Sequence, residues 1–265
     1  MPGPILILIE GKDEQIPVNK GLKAKRLPGN HRPYQATLAD GTEIVVAVTG
    51  VGPERARRVT EETIERFKPS LVVSAGTVGG LNDTLECTDW LITTECRYLG
   101  ARTERGREQL EVLRSPVPQE IVDDFVQGLT TGGTSPKRHD GVLVSVKGEP
   151  IIERAEKEAI VAAHEGVVAV DMESFGIAKA SDDAGIPWLV ARVVVDTPDI
   201  PLPEFGGLNE VTGRPGYFAL LLYVLGSPIA GPRNLYRLWD LVTVYAHDLV
   251  RALPDLKVPG EPVNA

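Results

Sequence analysis

The chain of 265 residues has only two cysteines, Cys87 and Cys96, a number and spacing that fit neither a disulfide framework nor a zinc-ligand pattern. Two buried, reduced thiols are the expectation. The four histidines (His31, His139, His164 and His247) share no metal-ligand spacing, so no metal is implied. Methionine occurs twice, as Met1 and Met172. Long apolar runs are missing: YFALLLYVLGSP (Tyr217–Pro228) reaches about half of the ~20 residues a membrane span needs. The opening PILILI has no basic flank and is too short for a signal peptide. A soluble, cytoplasmic protein without a membrane span is expected. Positive charge is also in deficit, with 28 Lys and Arg against 37 Asp and Glu, a net charge of -9. That balance excludes nonspecific nucleic-acid binding, which needs a basic footprint. It leaves small anionic or polar ligands open.

What is present alternates between buried strands and amphipathic helices. Pro4–Ile9 reads as a strand buried on both faces. Tyr34–Gly50 reads as two strands around an Asp40-Gly41 turn, and Pro53 opens a helix with Ala56, Val59, Thr63, Ile64 and Phe67 on one face. Strands are expected at Ser70–Gly76, Asp89–Cys96, 141–146, Val167–Val170 and Pro187–Val195. Helices are expected at Pro118–Leu129, 151–164 and 172–184. Arg97–Ser115 reads as a charged, irregular excursion and Thr130–Asp140 as a loop. A loop over Asp196–Pro215 leads to two C-terminal helices, the second over Asn234–Leu253. This pattern predicts an α/β fold: a three-layer αβα sandwich around a mixed, largely parallel twisted sheet. No linker separates two cores, so residues 1–265 read as a single domain with a helical C-terminal tail from about residue 215.

Ligands of such folds bind at the carboxyl ends of strands. Three of those ends are chemically loaded. Leu71–Ala75 runs into GTVGGL, Val167–Val170 into DMES, and Pro187–Val195 into DTPD. Singly, each has an ordinary structural explanation: a tight glycine turn, a helix cap, a turn before proline. Together they point to a site. Gly50-x-Gly52 has Arg55 where a dinucleotide fingerprint would place its third glycine, and neither a P-loop nor a G-x-S-x-G elbow is present. No cofactor is implied.

The segments VVSAGTVGGL (Val72–Leu81), VVAVDMESFGIAKAS (Val167–Ser181) and ARVVVDTPD (Ala191–Asp199) resemble, in order and spacing, the signatures of the purine/uridine phosphorylase superfamily. That superfamily includes methylthioadenosine/S-adenosylhomocysteine nucleosidases. The VDMES spelling and the D-x-x-D-x-x-L-P run (Asp196–Pro203) are most similar to its hopanoid-biosynthesis-associated branch. The resemblance implies cleavage of the N-glycosidic bond of a purine nucleoside, with adenine favoured by an acid at the base. Met172 and Glu173 match the ribose-binding pair: a carboxylate accepts from two vicinal hydroxyls, and a methionine walls the sugar. Asp196 matches the acid at purine N7, for which a partly buried, protonated carboxyl is expected. Gly76 and Thr77 match the loop at the water or phosphate. Val146 and Asp171 fall in the base-binding segments, although Pro150 and Ile151 stand where relatives often stack a phenylalanine.

The acid that orients the nucleophile follows the first strand. Glu14 is the choice, with Glu10 and Asp13 as alternatives of register. Ser74 occupies a position where phosphorylases commonly carry an arginine, which favours water over phosphate as the co-substrate. Arg55 or Arg192 are the candidates to supply that charge if phosphate is used. Val195 replaces a serine that often supports the acid. Phosphorolysis is the alternative reaction, and a nucleoside-binding protein without turnover is the rival from another class. A homo-oligomer is expected from the resemblance.

Overall fold

The computed structural model describes residues 2–100, 107–130, 138–139, 141–148, 150–151, 153–200 and 230–256. Its strands form one mixed sheet. Strand β1 (Ile5–Ile9) consists of five fully buried aliphatic residues, as a strand covered on both faces requires. It lies parallel to β4 (Glu43–Val48) and to β5 (Leu71–Gly80), with Ile9 opposite Val48 and Ala75. Beyond β4, the short strands β3 (Tyr34–Thr37) and β2 (Lys25–Arg26) close that edge in antiparallel fashion. On its other side β5 pairs in parallel with β12 (Trp188–Asp196), and its last residues pair antiparallel with β11 (Val167–Asp171). From β11 the sheet continues through β10 (Val142–Val146), β7 (Glu95–Leu99) and β8 (Gln109–Arg114).

Alternate side chains of β1 enter different cores. Ile5, Ile7 and Ile9 pack with Val18 of α1 (Lys12–Gly21), Phe125 of α3 (Gln119–Thr130) and Leu249 of α6 (Ala230–Ala252). Leu6 and Leu8 pack on the other face with Ala56 of α2 (Pro53–Phe67) and Ile177 of α5 (Ser174–Asp183). A third cluster joins Val144 and Val170 to Ile160 of α4 (Arg154–Ala163). Helices therefore cover both faces of a mixed sheet, as expected. Among the described residues no helix is long and apolar enough to cross a membrane.

Several boundaries differ from the expectation. The GTVGG segment is not a loop after the strand: β5 runs on to Gly80 because β12 and β11 supply hydrogen-bonding partners along it. Asp89–Cys96 is two strands, not one. Strand β6 (Trp90–Thr93) pairs with β12, whereas β7 pairs with β10, and the Thr93 hydroxyl accepts from the Glu95 N–H (3.1 Å) where the chain changes partner. Arg97–Ser115 is largely a hairpin of β7 and β8, in which Glu95 pairs with Arg97 (2.9 Å) and Arg114 (2.7 Å). Within the expected loop 130–140, Arg138–His139 forms strand β9 beside β6. Cys96 is buried, but Cys87 is only partly so. Helix α1 shows no clear apolar stripe in sequence and contains Pro17; it exists because it docks against α6. The final helix begins at Ala230 rather than Asn234, and the first of the two expected C-terminal helices lies outside the described residues.

Candidate active site

At one end of the site, β1 gives way to α1 through Glu10 and Gly11, which brings Glu14 over β5. The Thr77 hydroxyl donates to Glu14 Oε1 (2.8 Å). Glu14 Oε2 is buried and has no hydrogen-bond partner among the described residues. It faces Gly76: a methyl group built there would lie 2.9 Å from Glu14 Oε2 and 2.8 Å from Arg192 Nη1. Gly76 also has φ of +144°, so both conformation and space require glycine.

Arg192 lies directly across the ladder from Gly76 and is fully buried. Its guanidinium donates to the hydroxyls of Ser74 (3.0 Å) and Ser174 (3.2 Å) and to the Thr77 carbonyl (3.2 Å), and pairs with Asp171 (3.1 Å). Four acidic groups surround this one cation. Burial works against the charge of Arg192, but Asp171, Glu173, Glu14 and Glu10 outweigh it and hold the guanidinium above its ordinary value. Burial raises Glu14, opposed by Arg192 and by the Thr77 hydrogen bonds. Burial, reinforced by the charges of Glu173 and Glu14, pushes Glu10 well above the usual carboxylate range.

Met172 and Glu173 sit where β11 meets α5. The Ser174 N–H donates to Asp171 Oδ2 (3.1 Å), so Asp171 closes the start of the helix. Helix α5 approaches α2 closely because residue 176 is glycine; a Cβ there would be 2.0 Å from the Pro53 carbonyl oxygen. That contact brings Glu173 to the loop before α2, where the Gly52 N–H donates to its Oε1 (3.0 Å). Burial, then the neighbouring Asp171, push Glu173 up to about 8 against the effects of Arg192 and the Gly52 N–H. Burial and Asp171 both favour the protonated form of Glu173. Met172 is partly buried beside it.

A cavity of about 70 Å³ is bounded by Gly79, Val146, Ile151, Met172 and Asp196, among others. A register shift between Val194 and Asp196 gives Asp196, not Val195, the place opposite Gly79. Such a bulge re-aims a side chain. Asp196 is buried more deeply than expected and is not an isolated acid: the ammonium of Lys157, fully buried on α4, contacts its Oδ2.

The structure thus brings Glu14, Gly76, Thr77, Met172, Glu173, Val146, Asp171 and Asp196 to one region. Asp171 departs from its expected part. It borders the cavity, but its carboxylate is engaged by Arg192, by the Ser145 hydroxyl and by the Ser174 N–H. Arg55 donates to the Thr49 carbonyl (3.2 Å), while Arg192 is the cation at Gly76. Sequence reasoning missed Lys157 and the hub role of Arg192. Lys157 could have been found as a lysine three residues before Ile160, on the apolar stripe of its helix. Arg192 stands as a charge inside the otherwise apolar WLVARVVV run.

The sequence signature of the phosphorylase superfamily matches residues 1–212, and the chain belongs to that superfamily. A 5′-methylthioadenosine/S-adenosylhomocysteine nucleosidase of Exiguobacterium is 27% identical over 179 residues, 64% of this chain and 74% of that protein. Its counterpart from Staphylococcus aureus is 25% identical over 193 residues, 71% of this chain and 85% of that one. Among solved structures, futalosine hydrolase of Helicobacter pylori superimposes with a TM-score of 0.67 at 16% identity, covering 96% of this chain and 97% of that one. The adenine complex of the Colwellia psychrerythraea nucleosidase gives a TM-score of 0.69 at 19% identity, covering 97% and 96%.

Proposed function

We propose that the protein hydrolyses the N-glycosidic bond of a purine nucleoside, with adenine nucleosides as the preferred substrates. The observation that carries this reading is the unpartnered Glu14 Oε2, buried beside Gly76 and Arg192 with Thr77 fixing the other oxygen. Water needs such an acceptor and little else. Phosphate needs positive charge and several free donors. Here the guanidinium is already shared among Asp171, two serine hydroxyls and a carbonyl, inside a ring of acidic groups.

In this reading Glu14 accepts a proton from the attacking water; burial makes it more basic than an ordinary carboxylate. Glu173 and Met172 hold the ribose, and the sugar passes through an oxocarbenium-like state as the C1′–N9 bond breaks. The electron pair of that bond stays with the purine, and Asp196 delivers a proton to N7. Val146 and Ile151 border the base. The relatives that are methylthioadenosine/S-adenosylhomocysteine nucleosidases support an adenine base and hydrolysis. The test is product analysis across purine nucleosides with and without phosphate. Free base and free sugar are expected, at a rate that phosphate changes little. Ribose 1-phosphate formed only when phosphate is present would overturn hydrolysis, and binding without base release would favour a non-catalytic protein.

A further inference from the structure

Lys157 is the one fully buried lysine among the described residues, and it is spent on Asp196. A buried ammonium is expensive unless paired, so this placement calls for an explanation. Helix α4 grips the chain after β12 twice from its first turn. Lys157 holds Asp196, and Arg154, three residues earlier, holds Asp199 (2.6 Å), three residues later than Asp196. The ammonium contacts Oδ2, and Oδ1 lies 3.0 Å from where a Gly79 side chain would begin, at the border of the cavity.

We propose that Lys157 is the positioning residue of the base-side acid: it anchors Asp196 Oδ2 and stabilises the carboxylate that remains once the proton has gone to N7. This rests on the hydrolytic reading above. The step balances simply. The purine keeps the C1′–N9 electron pair and gains the proton at N7; Asp196 loses that proton and becomes an anion against Lys157, which keeps its own three. An interaction that strengthens as the acid ionises acts on the transition state more than on the ground state.

Three other described groups near Asp196 carry no positive charge. Strand β11 brings Asp171 to the same cavity, an anion already paired with Arg192. Strand β5 presents Gly79 and Gly80, without charge. The turn before β6 brings the Cys87 thiol, which donates to the Val195 carbonyl (3.4 Å).

The experiment is the pH–rate profile of base release, at limiting and saturating nucleoside, for wild type and for Lys157→Met, Lys157→Gln and Lys157→Arg. Activity requires protonated Asp196, so it declines with rising pH. A neighbouring cation moves a carboxyl by about 1–3 units. In K157M and K157Q this alkaline limb should move up by about that amount, and the rate on the low-pH plateau should fall about tenfold to a hundredfold, a part of the ~100- to 10,000-fold that general acids supply. K157R should keep the limb. If K157M does not fold, K157Q, which retains an N–H donor to Oδ2, gives the same reading. A limb that stays in place in both neutral variants would overturn the proposal, whatever their melting temperatures, as would a plateau rate equal to wild type. If wild type releases no base from any nucleoside, the hydrolytic reading fails first; if wild type turns over and the limb does not move, only the role of Lys157 fails.

Discussion

Replacing Gly76 with alanine tests the geometry of the nucleophile end with a single carbon atom. The new Cβ would sit 2.8 Å from Arg192 Nη1 and 2.9 Å from Glu14 Oε2, where real contacts of this kind are about 0.5 Å longer. One or both side chains have to retreat. The backbone also resists, since φ of +144° is strained for any L side chain, by ~1–3 kcal/mol. At ~2–4 °C per kcal/mol for a chain of this size, the melting temperature should drop by about 4–8 °C for a loss near 2 kcal/mol. Activity should suffer more. A misplacement of 1 Å can reduce a rate by ~100-fold, so a shift of about half that should lower kcat roughly tenfold or more. KM should change less, because the sugar and base contacts lie elsewhere. Gly41→Ala is the matched control: φ there is +91°, and nothing lies within 4 Å of the added carbon. It should lower the melting temperature and leave base release intact. A Gly76→Ala enzyme with the kcat of wild type, destabilised only as much as Gly41→Ala, would refute the claim that Glu14 and Arg192 are held across this glycine.

Asp196→Asn should reduce base release by ~100- to 10,000-fold. Above the alkaline limb, where Asp196 is ionised against Lys157, it should also destabilise the protein, by about 3–5 kcal/mol; Lys157→Met/Asp196→Asn should there recover melting temperature but not activity. Glu173, raised to about 8, contributes stability that is complete below about pH 4.5 and lost as pH climbs through 8. Denaturant midpoints of wild type should therefore fall between pH 5 and pH 9, and Glu173→Gln should flatten that slope; an unchanged slope assigns it elsewhere. Glu173→Ala should weaken ribose binding by roughly 1–3 kcal/mol and narrow the discrimination between ribo- and 2′-deoxynucleosides, read as the ratio of kcat/KM values. Arg192→Met should impair folding outright, since it strands Asp171 among Glu10, Glu14 and Glu173; a soluble variant with an unaltered melting temperature would contradict the hub.

The parts of the fold legible in sequence were those written in local patterns. The continuous aliphatic run of β1, the Asp40-Gly41 hairpin and the apolar face behind Pro53 each follow from neighbours in the chain. What eluded reading was decided by distant partners. Helix α1 has a proline inside and depends on α6 for its place. The GTVGG segment looks like a turn until β12 and β11 are known to flank it. The hairpin after Glu95 is hidden by charges that turn out to pair across it. The site divides the same way. Glu173, Asp196 and Thr77 stand in recognisable segments, so their positions could be read. Lys157 and Arg192 show in sequence only as charges set among apolar residues; which carboxylates from other elements they neutralise is visible only once the chain is folded.

Strand β5 carries both ends of the proposed site: Gly76 and Thr77 stand against Glu14, and Gly79 stands against Asp196. The three steps from Gly76 to Gly79 cover about 10 Å of extended chain. The strand is therefore a ruler. One inserted residue would turn every later side chain to the opposite face, so the interval cannot be adjusted in small increments. In the proposed reaction a nucleoside would lie between these two places, at an interval that the strand itself sets. On that reading, variation among substrates falls on whatever projects sideways from the strand.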